Sequence, residues 1–298
     1  MNPPDGFLPF HEDERRAQAL AGQQAGRAAI RPFMPQQHRD FFPLLPYLFT
    51  ATLDRAGAPL ASMLWGPAGF AHSPDPVTLR LDAQPAPDDP AAVGFAPGRP
   101  IGLLGLDLST RRRNRANGRV VARDDAGITV SVEQSFGNCA QYIQTRQATP
   151  HARPAGAPEA LPALDASARE LIAASDTFFV ASRSRAGVGD GGLDVSHRGG
   201  LPGFVALEGD TLVVPDFRGN RFFNTLGNLL GDPRAGLLFV DFASGGLLQL
   251  QGTVTIDWSH EPRCWRVAIE RGWRRPAALP FDWTFGAYAP TTLATKAS

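Results

Sequence analysis

The amino-acid sequence predicts a mainly β protein with short helices, an α+β chain folded as two tandem small barrels. Three observations predict it. Short apolar strands bounded by turn residues recur along the chain, a long stretch of the pattern is written twice, and a proline- and alanine-rich segment lies between the two copies.

The repeat comes first because it decides the architecture. Residues 60–82, LASMLWGPAGFAHSPDPVTLRLD, lie over residues 194–216, DVSHRGGLPGFVALEGDTLVVPD. Gly69-Phe70 recurs as Gly203-Phe204, 134 residues later, and Asp82 recurs as Asp216 at the same spacing. Thr78-Leu79 matches Thr211-Leu212 only with a slip of one residue. The register then returns, with IGLLGLDLS matching AGLLFVDFA, Gly102 on Gly236, Asp107 on Asp241, and Gly118-Arg119-Val120 on Gly252-Thr253-Val254. Such a period is too long for a solenoid and fits two copies of one domain.

In the first copy the expected strands are Tyr47–Leu53, Leu60–Leu64, Val77–Leu81, Ile101–Asp107 and Arg119–Arg123. In the second, LLQLQGTVTI alternates: Leu248, Leu250, Val254 and Ile256 share a core face, and Gln249, Gln251, Thr253 and Thr255 share a polar face toward water or a ligand. Many short strands with few helices suggest a small closed or partly closed barrel per copy, with a sandwich as the alternative. Residues 147–164, QATPHARPAGAPEALPAL, lack periodicity and read as a linker. DASARELIAAS then reads as a short helix capped by Asp165 or Ser167. The expected division is 1–39 an N-terminal extension, 40–146 a degenerate first barrel, 147–165 a linker, and 166–298 a ligand-binding second barrel with a C-terminal extension.

Bulk properties exclude several classes. The 298 residues include 29 basic and 29 acidic side chains, a formal net charge of zero that gives no electrostatic case for nucleic acid or a membrane surface. Lys296 is the only lysine. Cys139 and Cys264 cannot make a disulfide scaffold, have no zinc spacing, and are expected to be small buried hydrophobes. The N-terminus has no signal-peptide pattern and no apolar run reaches membrane-spanning length, so a cytoplasmic location is expected.

The copies differ where function is expected. The first has the proline-rich AQPAPDDPAAVGFAPGRP where the second has DFRGNRFFNTLGNLLGDPR. The latter predicts a helix with Asn220 as N-cap, Phe222, Leu226, Leu229 and Leu230 on one apolar face, Gly231 at C′ and Pro233 as a stop. Its other face and the loop before it carry Arg218, Arg221, Asn224, Thr225 and Asn228, donors suited to an anion at a helix start. A plain capped helix reads equally well. At the strand end, Leu60-Ala61-Ser62-Met63 of the first copy is apolar, whereas Asp194-Val195-Ser196-His197-Arg198-Gly199-Gly200 is polar and basic. His197 is the candidate acid or base.

These segments, together with LLQLQGTV and the run Ser135–Cys139 followed by Tyr142-Ile143-Gln144, resemble the pyridoxamine 5'-phosphate oxidase-related, flavin-binding split-barrel family, in its tandem-barrel bacterial subgroup. The resemblance extends over about residues 10–260. It implies two tandem FMN-binding split β-barrels, with the FMN phosphate held by Ser196, Arg198, Asn220 and Arg221; Asp194, His197, Asp216, Asn224 and Thr225 of the same segments are further candidate contacts. It further implies Gln249 reaching the flavin across an interface, and Asn138 as an additional contact. Two departures stand out. The lysine that ends the oxidase's phosphate-binding strand is absent, and the tail GWRRPAALPFDWTFGAY has Trp273, Arg274 and Arg275 but no RxH pattern. Vitamin B6 oxidation is therefore not carried over.

The densest positive patch, Arg111, Arg112, Arg113 and Arg115, reads as a charged edge strand, with a second anion site as the alternative. By the repeat register Arg115 falls on Gln249. The expected function is an FMN-binding oxidoreductase of unknown substrate, using NAD(P)H or a reductase partner as donor, with a homodimer as one possible assembly. The alternatives are a non-catalytic flavin- or haem-binding protein and an electron-transfer accessory.

Overall fold

The computed structural model describes residues 7–23, 29–188, 191–219, 221–259 and 263–295. The chain begins with α1 (Glu12–Leu20) and the single turn α2 (Gln36–Arg39). Seven strands follow: β1 (Tyr47–Leu53), β2 (Pro59–Trp65), β3 (Ala71–Asp75), β4 (Thr78–Leu81), β5 (Pro100–Asp107), β6 (Arg112–Asp124) and β7 (Gly127–Gly137). They form one antiparallel sheet in the order β2-β1-β5-β6-β7-β4-β3. After β8 (Arg146–Pro150), β9 (Glu159–Leu161) and α3 (Ala166–Ala174), the same pattern returns. Strands β10 (Thr177–Arg183), β11 (Leu193–Gly199), β12 (Ala206–Glu208) and β13 (Thr211–Pro215) precede α4 (Asn224–Gly231). Strands β14 (Arg234–Asp241), β15 (Gly246–Asp257) and β16 (Cys264–Arg275) complete a sheet ordered β11-β10-β14-β15-β16-β13-β12. The tail adds β17 (Phe281–Phe285), which pairs with β8, and α5 (Pro290–Ala294). The mainly antiparallel β architecture with short helices agrees with expectation, and the two sheets share one strand order.

Each sheet has its own core. Leu48, Leu64, Leu79, Ile101 and Val130 belong to the first, and Phe178, Leu212, Leu237, Leu250 and Trp265 to the second. A third cluster joins them, drawn from both sheets and including Phe49, Met63, Leu104, Phe179, Val195 and Leu238. Phe49 and Phe179 occupy the third positions of β1 and β10 and stack with centroids 3.6 Å apart. The repeat glycines explain the close approach of the sheets. A Cβ on Gly102 would lie 2.8 Å from Leu193 O, and one on Gly236 would lie 2.5 Å from Pro59 O. Pro59 and Leu193 are themselves repeat mates, so each half presents the same glycine to the same place on the other. This is the reciprocal contact of an approximate two-fold within one chain.

Several expectations need correction. β6 is not an edge strand; it pairs with β5 on one side and β7 on the other, and it begins at Arg112 rather than Arg119. Residues 147–164 are not a free linker: β8 is fixed by β17, and β9 pairs with β16. Backbone pairing supplies there the order that the side-chain pattern lacks. The polar face of β15 does not look at water throughout, because Gln249 and Gln251 are buried against the first sheet. α3 forms as expected, with Asp165 accepting from the Ala168 N–H at 2.8 Å. α4 starts later than expected. Asn220 lies outside the described residues, Phe223 in a left-handed conformation occupies the N-cap position, and Gly231 is the last helical residue rather than C′. Phe222 is held outside the helix against Phe10 and Phe136, so its aromatic packing takes precedence over the helical stripe. Leu226 and Leu229 are buried as expected.

Candidate functional site

A cavity of about 570 Å³ opens where the second sheet meets the first. The end of β11 supplies Ser196, His197 and Arg198. The segment after β13 supplies Asp216, Phe217, Arg218 and Arg221, and the first turn of α4 supplies Asn224 and Thr225. The first half contributes Arg113 and Arg115 from β6, and Asn138, Cys139 and Tyr142 from the chain after β7. Thus Ser196, His197, Arg198, Asp216, Arg221, Asn224, Thr225 and Asn138 all line one cavity. Cys139 and Cys264 are both free and half-buried rather than core residues, and Cys139 is part of the wall.

Two sequence-selected residues lie elsewhere. Asp194 sits behind the cavity, 3.2 Å from Arg115 and accepting from Asn117 Nδ2 at 2.9 Å. Gln249 is fully buried, and its Nε2 donates to Ala61 O at 3.0 Å and to Asp89 Oδ1 at 3.1 Å. The reason is the approximate two-fold. The face of β15 that carries Gln249 points at the first half, and the matching face of β6 points Arg115 at the second. Arg115 therefore lines this cavity from the repeat position that corresponds to Gln249. Its Nε donates to Val195 O at 3.1 Å and its Nη2 to Ser196 Oγ at 2.5 Å. Composition hid this because four arginines in five positions look like a solvated strand. The register pairing of Arg115 with Gln249 was the signal that could have found it. Arg263, also in the wall, falls in a stretch without a motif.

The electrostatics are one-sided. Asp216 is shared by Arg198 at 3.2 Å and Arg263 at 3.1 Å. The Arg113 pKa is pushed down to about 10, first by burial and then by the neighbouring Arg115. His197 is 6 % exposed, and among the described residues neither ring nitrogen has a partner. Burial, followed by the charges of Arg113 and Arg198, holds it well below the ordinary histidine value, so it is a neutral imidazole with one donor and one acceptor. Arg113 Nε, Arg198 Nε and Asn138 Oδ1 also lack partners among the described residues. A buried polar group left unpaired costs about 1–3 kcal/mol.

Two further features shape the wall. Tyr142 and Phe217 stack with centroids 5.2 Å apart, and Phe204 lies 6.4 Å beyond Phe217. Tyr142, Arg221 and Phe223 all adopt positive φ. Left-handed non-glycine backbone costs about 1–3 kcal/mol per residue and concentrates at ligand sites. Such an arrangement can hold a ligand with an anionic group and a flat ring. Guanidiniums and hydroxyls suit the first, and an aromatic wall with an unpaired imidazole suits the second. A cavity of this size is in the range of small-molecule and cofactor sites.

The fold and site thus define a β-sheet protein with a cavity lined by arginines and stacked aromatics at its second half. Residues 164–272, which run from just before α3 into β16, match the family model described as pyridoxamine 5'-phosphate oxidase. No curated protein matches the chain. Among solved structures, a FAD-binding protein from Mesorhizobium loti shares 14 % identity over 40 % of this chain and 97 % of that one, with a TM-score of 0.28. HutZ, a heme storage protein from Vibrio cholerae, shares 11 % identity over 38 % of this chain and 95 % of that one, with a TM-score of 0.27.

Proposed function

We propose that the protein binds FMN in this cavity and acts as a flavin-dependent oxidoreductase built of two tandem split barrels, the second competent for the cofactor and the first degenerate. The observation that carries the reading is the convergence of guanidiniums from both halves, hydroxyl and amide side chains and a stacked aromatic wall in one cavity. The match of residues 164–272 to a flavin oxidase family supports it. In this reading Ser196, Arg198 and Arg221 hold the phosphate, Thr225 keeps Ser196 in place through their 2.9 Å hydrogen bond, and Tyr142 and Phe217 face the ring system. The flavin supplies the redox chemistry when bound. His197, whose pKa burial holds well below the ordinary histidine value, lines the cavity and is the candidate proton carrier. The substrate is left open, with NAD(P)H or a reductase as donor. A cytoplasmic location belongs to the same reading; among the described residues no helix is long and apolar enough to cross a membrane.

The test is an absorption spectrum of protein mixed with FMN and desalted, for the wild type and Arg221→Ala. Flavin should be retained by the wild type. Arg221→Ala should bind about tenfold to a hundredfold more weakly, the loss of one charge-assisted hydrogen bond. A wild type that retains no FMN sinks the reading, and a Soret band after haemin addition would replace flavin with haem. Reduction by NAD(P)H with turnover separates an enzyme from a carrier.

A further inference from the structure

The cavity has a repeat-related counterpart in the first half, and the two places differ in whether side chains fill them. We infer that the chain carries one anion site for a phosphate-bearing ligand, completed within a single chain by Arg113 of the first sheet, while the counterpart is closed by the chain's own Asp89–Arg275 pair. The inference rests on the cavity proposed above, and it holds whether or not the phosphate-bearing ligand is a flavin.

Ser62 and Ser196 are repeat mates and mark the two places. At Ser196 the hydroxyl accepts from Arg115 of the other sheet and donates to Asp194 at 3.1 Å, Asp194 itself pairing with Arg115 at 3.2 Å, and an open cavity lies beside this group. Among the described residues Arg113 and Arg221 make no ion pair, and Asp216 is the only acid in the cavity wall. Crowding of Arg113 against Arg115 and Arg198 is relieved by an incoming anion. At Ser62 the hydroxyl likewise donates to a carboxylate, that of Asp89, but side chains fill the space beside it. That carboxylate also accepts from Gln249 at 3.1 Å, from the Ala91 N–H at 2.8 Å and from Arg275 Nη1 at 2.9 Å. Asp89 and Arg275 are 5 % and 3 % exposed. An anion arriving there would meet a buried carboxylate whose cation is already neutralised. Asp89 is set by the proline-rich segment that replaces α4, so the sequence difference between the copies is what fills one site and leaves the other open.

The test uses the full chain with inorganic pyrophosphate as probe, by calorimetry at low ionic strength with light scattering on the same samples. The expected result is one pyrophosphate per 31.9 kDa chain, bound by a monomer. Arg113→Gln should weaken binding about tenfold or more, and Arg113→Lys should recover most of it. Arg119→Gln, an exposed change on the same strand, should leave affinity unchanged. Two pyrophosphates per chain, no binding, binding only by a dimer, or full affinity in Arg113→Gln would each overturn the inference. FMN titrated in parallel separates the two readings: pyrophosphate bound without FMN rejects the flavin and leaves the in-chain site standing.

Discussion

Glu14 ties the N-terminal helix to the cavity, and its titration should be visible in stability. Its Oε2 accepts from the His11 N–H at 2.9 Å, and its Oε1 accepts from Asn224 Nδ2 at 2.5 Å. Burial dominates and raises its pKa from the ordinary 4.5 to about 7, against the opposing pull of those two hydrogen bonds. The folded protein therefore holds this proton more tightly than the unfolded chain. The associated stability is fully present below about pH 4.5 and is lost as pH rises through about 7. At about 1.4 kcal/mol per tenfold in proton affinity, the rise corresponds to about 3 kcal/mol. Glu14→Gln removes the titration and keeps the shape. Urea unfolding of both proteins at pH 5 and pH 8 is the assay. The wild type should lose about 2.5 kcal/mol more than the variant between those two pH values. Equal losses in the two proteins would refute the claim that Glu14 is a buried, desolvated carboxyl, and with it the docking of α1 on α4.

Other expected outcomes concern the junction of the halves. Gly236→Ala should destabilise by about 1–3 kcal/mol in denaturant unfolding, because the new methyl meets backbone atoms of Pro59 and Leu60 that cannot turn aside. Phe49→Ala and Phe179→Ala should each cost about 3–5 kcal/mol, and a double-mutant cycle should return a coupling of about 0.5–1.5 kcal/mol for the stacked pair. Asp89→Ala should cost about 3–5 kcal/mol by leaving Arg275 buried without its carboxylate, whereas Asp89→Leu with Arg275→Met should recover most of that loss.

Much of the fold was legible because it rests on local pattern. β1 spans the residues that an apolar run between turns indicates, and the core face of β15 follows strict alternation through Leu248, Leu250 and Val254. The candidate site was partly legible because the copies diverge there. DVSHRGG and the segment around α4 were donor-rich in one copy only, and the chain folds them onto the same cavity. Elements held by distant partners were not legible. β8 and β9 have no side-chain pattern of their own and exist because β17 and β16 supply hydrogen-bond partners. α1 is a short polar helix whose order comes from contacts such as His11 with Asn228 at 2.9 Å.

The sequence by itself determined the β class, the duplication and the half in which the donor-rich segments lie, since each is written in alternation, spacing or composition. Only the tertiary structure decided how the halves face each other, and so which arginines serve which cavity. Gln249 and Arg115 share a repeat position, but an approximate two-fold exchanges the faces they address. Facing is set by side-chain interlock across a shared core, and by two glycines that let the sheets touch. Neither leaves a trace in the pattern of one strand.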